Sequence, residues 1–296
     1  MHITILALGS HGDVLPCTIL GKGLQAAGHQ VRLVTFENFE PLVAAQGLDF
    51  YPVRGDVQNI LGGPGGQALA ASGRNAFRMA WSVLRLFGVM AENFARDLSS
   101  PELWDTEEEN WRPPEGLCAF IQAGPPPVFI GFGSMSMRDP KRTTAMVLDA
   151  LKRSGQRGIL HMGWGGMGQQ ELPDYVWKVE YVPYGWLFPQ MAAVVHHGGS
   201  GTTAFGLRAG VPSIIVPFLF DQFYWGKRVS ALGVGPEPIP HKKLSVERLA
   251  EALTIAVNDT QMRQRAAELG EKIRMEGGVS AAVEAIHQYV RCLLVR

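Results

Sequence analysis

The chain has 296 residues, 46% of them apolar and 18% charged, with 27 basic residues against 27 acidic ones. At about 150 residues per domain, this length predicts two compact domains. The balanced charge excludes an extended polar chain and a broad basic surface for nucleic acid. Three cysteines, Cys17, Cys118 and Cys292, never fall at CxxC spacing, which excludes a disulfide framework and a cysteine zinc site and points to a cytoplasmic, soluble protein.

The apolar start Ile3 to Leu8 has the length of a strand and no basic stretch before it, so it reads as neither signal peptide nor membrane span. It stops at Gly9-Ser10-His11-Gly12-Asp13, the punctuation expected where a buried parallel strand turns into a helix. From Leu15 to Ala27 the residues Ile19, Leu20, Leu24 and Ala27 fall at helical spacing, with Pro16 suited to the first turn and Gly28 as the stop. Gln30 to Phe36 predicts a second strand, Glu37 to Gln46 a helix ended by Gly47, and Asp49 to Val53 a third strand. Alternation of this kind calls for right-handed crossovers and a parallel sheet covered on both faces, the doubly wound α/β class, with ligands at the carboxyl ends of the strands. Leu61 to Gly66 predicts a loop. Asn75 to Leu98 predicts a long helix with Phe77, Trp81, Leu84, Phe87 and Phe94 on one side, as core or pocket wall.

Acidic, proline-rich sequence between Ser99 and Pro127 marks a domain boundary. The expected division is a first domain over 1–112, a linker over 113–127, a second domain over 128–280 and a final helix over 281–296 that packs back on the first domain. The second series runs strand Val128 to Gly133, helix Thr143 to Ser154, strands Gly158 to Met162, Val176 to Tyr181 and Ala193 to His196, helix Thr202 to Ala209 and strand Ser213 to Val216. Helical periodicity then fills Val246 to Asn258, Thr260 to Met275 and Val279 to Cys292.

The most informative segment is Val194-Val195-His196-His197-Gly198-Gly199-Ser200-Gly201-Thr202-Thr203, an apolar strand ending in a small-residue loop that opens a helix. Glycines let backbone N–H groups approach a phosphate, the helix N-terminus carries about half a positive charge, and the Thr202 and Thr203 hydroxyls can donate to oxygens. The loop is not GxxxxGK[ST], so the lysine of simple ATP chemistry is missing, and His197 is expected to supply the positive end instead. The bland alternative is a tight turn with core histidines. Some twenty residues on, a buried strand closed by Pro217 delivers Asp221 and Gln222 to the same rim, a carboxylate and an amide suited to several sugar hydroxyls. The competing role for Asp221 is to cap the helix that follows.

These runs, together with Val182-Pro183-Tyr184-Gly185-Trp186-Leu187-Phe188-Pro189, the Phe132-Gly133-Ser134-Met135 turn and Gly9-Ser10-His11-Gly12-Asp13-Val14-Leu15-Pro16, resemble the family 1 nucleotide-sugar glycosyltransferases, most nearly the sterol and bacterial natural-product glucosyltransferase branch. The resemblance implies the GT-B fold: two Rossmann-like, doubly wound domains facing a cleft, with 128–280 binding the nucleotide sugar and the first domain on the acceptor side. It implies a diphosphate site at His197, Gly199, Ser200, Gly201 and Thr202, with Ser134 as a second contact, a hexose pair at Asp221 and Gln222, and a nucleobase wall at Trp186 and the backbone near Val182. It places Asp13 as catalytic base, with His11 as rival.

An inverting transfer then needs a base on the acceptor hydroxyl, in-line attack on the anomeric carbon and stabilisation of the departing diphosphate. A UDP-sugar co-substrate, with glucose as the hexose, no other cofactor and no metal are expected, since no DxD stands at a strand end; dTDP is the alternative nucleotide. The acceptor is expected to be a lipophilic hydroxylated molecule such as a sterol, polyketide or flavonoid.

Two departures stand out. The Phe132-Gly133-Ser134-Met135 turn arrives several β-α units early, with three strands before it. Either the segment between Leu103 and Trp111 is lost, or the sequence joins stretches that a longer protein separates. The abbreviated first sheet would expose an edge, which suggests a homodimer. Tyr184-Gly185 replaces a polar His-Asp pair, putting nucleobase contacts in doubt. The leading reading is a UDP-dependent hexosyltransferase. The runner-up is a nucleotide-sugar-binding module with weak or absent transfer, and a nucleotide-sugar epimerase ranks third for want of further acidic residues.

Overall fold

The structure, a computed structural model, describes residues 1–7, 11–53, 111–133, 135, 139–163, 171–219, 221–276 and 278–294. The expected loop at 61–66, helix at 75–98, acidic stretch at 99–110 and Ser134 lie outside them. The chain divides into two compact units, the first Met1–Thr106 with Arg274–Arg296, the second Glu107–Ile273.

In the first unit, strands β1 (His2–Leu6), β2 (Gln30–Phe36) and β3 (Asp49–Val53) form a parallel sheet in the order β1-β2-β3. Helices α1 (His11–Ala26) and α2 (Glu40–Ala45) connect them. Helix α1 begins four residues before the expected Leu15, so Pro16 lies inside it rather than in its first turn. Pro16 has no N–H to give the Gly12 carbonyl, a loss tolerated so near the helix start. Val14, Leu24, Val31, Leu33 and Val43 make the core of this unit. The last helix of the chain packs onto α1: Val283 and Ile286 join that core, and a side chain on Gly23 would collide with Val279.

In the second unit, helix α3 (Glu115–Gln122) precedes β4 (Val128–Gly131), α4 (Pro140–Ser154), β5 (Gly158–His161) and β6 (Val176–Val179). Then come the single turn α5 (Tyr184–Leu187), β7 (Ala193–His196), α6 (Ser200–Ala209), β8 (Ser213–Ile215) and α7 (Gln222–Ala231). Two further helices, α8 (Val246–Asn258) and α9 (Thr260–Met275), lead to α10 (Gly278–Leu294). The expected linker over 113–127 is corrected, because its middle is helix α3. Leu117 is 1% exposed and packs with Phe129 and Ile159, so prolines on either side bound a core helix rather than an extended tether.

The five parallel strands follow the order β6-β5-β4-β7-β8, which is 3-2-1-4-5 counted within the unit. Alternation along the strands buries both faces: Val128, Ile130, Leu160 and Val195 point to one core, Phe129, Ile159 and Val194 to the other. Helix α4 shows why these elements form where they do. Asp139 accepts the Arg142 N–H at 2.9 Å, Pro140 takes the first position, and Gly155 at φ +66° ends the helix.

The two sheets differ at their first strands. All four residues of β4 are buried between β5 and β7, whereas β1 is half-exposed along its length and Leu6 is 65% exposed. Among the described residues β1 has a neighbour only in β2.

Candidate active site

Strands β4 and β7 are the neighbours at which the strand order reverses, so a crevice is expected outside their carboxyl ends. Glycines let three strand ends converge there. A Cβ on Gly133, at φ +55°, would lie 2.9 Å from Cε1 of His197, and one on Gly199 would lie 2.5 Å from its Nε2. The His197 ring is therefore held between two positions that tolerate no side chain. Gly163, after β5, packs on Gly133, where a Cβ would meet the carbonyl oxygen at 2.6 Å. Sequence reasoning singled out the Phe132-Gly133-Ser134-Met135 turn without seeing that Gly133 shapes the histidine's slot. A glycine two residues past a buried strand is the signal that could have shown it.

Helix α6 starts in this crevice. Its first internal bond runs from the Thr203 N–H to the Gly199 carbonyl at 2.9 Å, so the N–H groups of Ser200, Gly201 and Thr202 have no partner within the helix. They and the helix dipole make an anion cradle. The Thr203 hydroxyl is corrected as a donor to a ligand: it is buried and bonds the Gly199 carbonyl at 2.8 Å. Thr202, half-buried, keeps that position.

His197 is 8% exposed, and its Nδ1 has no partner among the described residues. Burial pushes its imidazole down to about 4, so in the free protein it is neutral and not the cation expected from the sequence. It offers one N–H, and the positive potential comes from the helix.

Asp221 and Gln222, expected as equal partners, do different things. Gln222 is 4% exposed; its Oε1 accepts the N–H groups of Phe218 at 2.8 Å and Leu219 at 3.1 Å, while Nε2 reaches the Met135 sulfur at 3.4 Å. Its amide braces the loop after β8. Asp221 occupies the cap position of α7 without making a capping bond. Its Oδ2 instead accepts the Trp225 indole N–H at 3.2 Å, and the residue is exposed at the rim.

On the other flank, Val182 is buried in the core, and half-buried Trp186 lies with its ring centroid 5.0 Å from that of Trp111. Tyr184 stacks on Phe188 at 4.5 Å and meets Phe129 and Phe205 edge-on. Burial raises its phenol well above the ordinary value, so it stays protonated. The replacement of a polar pair here thus extends an aromatic core.

In the first unit, His11 and Asp13 are both exposed in the first turn of α1, where a carboxylate suits the helix dipole. Cys17 stands one turn further on. Burial first, then the Asp13 charge, push its thiol up to about 11. No three or more His, Cys, Asp or Glu among the described residues are grouped to hold a metal, and no described helix is long and apolar enough to cross a membrane.

A doubly wound unit with a helix N-terminus and a buried imidazole at its switch point is the architecture of a nucleotide-binding domain. Residues 3–99 match the glycosyltransferase family 28 N-terminal domain, and residues 145–281 match the erythromycin biosynthesis protein CIII-like C-terminal domain. The chain is 30% identical to sterol 3-beta-glucosyltransferase UGT80B1 of Arabidopsis thaliana, covering 98% of this chain and 68% of that one. It is 31% identical to the sterol 3-beta-glucosyltransferase of Emericella nidulans, covering 97% of this chain and 30% of that one. The calicheamicin glycosyltransferase CalG4 superposes with a TM-score of 0.70 at 18% identity, over 99% of this chain and 98% of that one. SsfS6 from Streptomyces sp. SF2575, complexed with thymidine diphosphate, gives 0.63 at 20%, over 97% and 99%. The chain belongs to the GT-B glycosyltransferases, in the family of the sterol 3-beta-glucosyltransferases.

The Arabidopsis alignment runs over 420 positions but takes in 98% of 296 residues, about 290, so about 130 positions of the relative have no counterpart here.

Proposed function

We propose that this glycosyltransferase moves a hexose, glucose by analogy with its relatives, from a UDP-sugar to a hydroxyl of a lipophilic acceptor, a sterol in the first instance, with inversion at the anomeric carbon. The observation that carries this reading is the anion cradle of α6 with the His197 imidazole beside it at the switch point of the second sheet. The neighbour bound to thymidine diphosphate supports a nucleoside diphosphate there, and the names of the curated relatives support the acceptor class.

The chemistry follows from the groups. Asp13 accepts the proton of the acceptor hydroxyl, the freed oxygen attacks the anomeric carbon, and the bond to the diphosphate breaks in line with it. Negative charge grows on the departing β-phosphate, where the N–H groups of Ser200, Gly201 and Thr202 receive it. The arriving diphosphate also favours the protonated form of His197, which then adds a full charge. The helix and this histidine carry out the role of a metal, and no further cofactor is called for. Asp221 and Gln222 face the hexose, Gln222 as much by shaping the loop as by contact. Trp186 and the backbone near Val182 border the base, with Ser134 as a further phosphate contact.

The test is to incubate the protein with UDP-glucose or dTDP-glucose and a sterol panel, following nucleotide release and glycosylated product together. Asp13→Asn should abolish product while leaving UDP affinity within about twofold of the unaltered chain; an active variant would move the base to His11 or elsewhere. The roughly 130 missing positions favour a second reading, a nucleotide-sugar-binding module with weak transfer. Release of UDP without product, whatever the acceptor, would select it.

A further inference from the structure

His196 closes strand β7, after Ala193, Val194 and Val195, and has no exposed surface. A polar ring at the end of so apolar a strand needs a reason. Its Nδ1 accepts the N–H of Gly198 at 3.1 Å, and its Nε2 is buried without a partner among the described residues. Because Nδ1 accepts, the single proton of the neutral ring sits on Nε2, and this tautomer leaves a buried donor unpaired. Burying an unpaired N–H is unfavourable. The histidine is kept for what Nδ1 does.

What Nδ1 holds is the peptide between His197 and Gly198. That peptide enters a residue at φ +88°, whose Cβ, if present, would lie 2.6 Å from Ile215 Cγ2 and 3.1 Å from the Gln222 carbonyl oxygen. The turn is therefore wedged against β8 and the start of α7, and the orientation of one peptide plane decides how the His197 ring leaves the backbone and where α6 begins. We infer that His196 is a positioning residue for the donor site, fixing through Nδ1 the peptide that aims His197 and the first N–H groups of α6 at the diphosphate. This rests on the donor reading given above.

The experiment compares His196→Asn with His196→Gln. The Asn Oδ1 takes the place of Nδ1 and can accept from Gly198, whereas the Gln amide extends toward the place of Nε2. UDP affinity is read by calorimetry, and exchange of the Gly198 amide is read by hydrogen exchange without ligand. The Asn variant should keep UDP affinity and Gly198 protection within about twofold, while the Gln variant should lose about tenfold in both, the factor expected for one hydrogen bond. Melting temperatures should fall alike in the two variants, which separates positioning from general stability. Equal UDP affinities in the two variants, or Gly198 exchanging alike in all three proteins, would overturn the role of His196 and leave the donor reading standing. Failure of the unaltered chain to bind UDP would instead overturn the donor reading, and this inference with it.

Discussion

At the scale of single residues, His197 links the site to stability. Its folded pKa, about 4, lies below the ordinary value of 6.5 that the unfolded chain retains. Between those values the unfolded state binds the extra proton, so stability rises with pH there, is complete above pH 6.5 and is lost as the pH falls toward 4. The shift corresponds to about 3 kcal/mol if fully expressed. His196, held well below its ordinary value by burial and then by His197, acts in the same sense. After correction for the intrinsic pH dependence of amide exchange, opening at β7 should therefore accelerate between pH 7 and pH 5 in the unaltered chain, and less so in His197→Asn. Equal acceleration in both would show that the imidazole is not buried as described.

Sequence pattern singled out the residues proposed for the donor site more readily than the contacts each of them makes. Asp221 and Gln222 are adjacent in the chain, but their difference arises from the loop closing after Pro217, which presents the Phe218 and Leu219 N–H groups to the amide. The neutral free state of His197 was not legible for the same kind of reason: composition shows an imidazole, and only packing shows the glycines that enclose it.

At the scale of elements, the clearest prediction concerns Gly133, which bears both a left-handed φ and the slot for His197. Gly133→Ala should weaken UDP binding by about tenfold or more, since backbone strain of about 1 kcal/mol is joined by collision with the imidazole. Gly155→Ala is the control. Its φ of +66° carries the same strain, but nothing lies within 4 Å of the new methyl group, and it ends α4 on another part of the unit. Similar losses of UDP affinity in both variants would mean that the slot does not matter.

The strands were legible to within one or two residues because short apolar or alternating runs between helical patterns leave little choice. The start of α1 was not, because proline normally marks a first turn and here stands in the second. Helix α3 was hidden by the prolines on both sides, although Leu117, Phe120 and Ile121 carry helical spacing in its eight residues.

At the scale of the whole molecule, the chain visits the first unit twice. Residues 274–296 return to it, and Val283 and Ile286 complete its core against α1. The return was legible in outline from the apolar spacing after Val279, but its beginning, at Arg274 rather than 281, falls inside the unbroken pattern of α9. Ending the chain after Ile273 should make the first unit sensitive to protease while the second keeps UDP affinity within about twofold, since its core is its own. Loss of UDP binding on truncation would contradict that independence. About 130 alignment positions without a counterpart give the early arrival of the second unit a size.

The glycines at the ends of β4, β5 and β7 form a seam: Gly163 rests on Gly133, Gly133 on His197, and Gly198 on the start of α7. Anyone wishing to retune which activated sugar the protein accepts has no freedom along that seam, where one added methyl group displaces the next strand's turn. Libraries are better spent at the margin, around exposed Asp221, where a change of shape need not travel across the sheet.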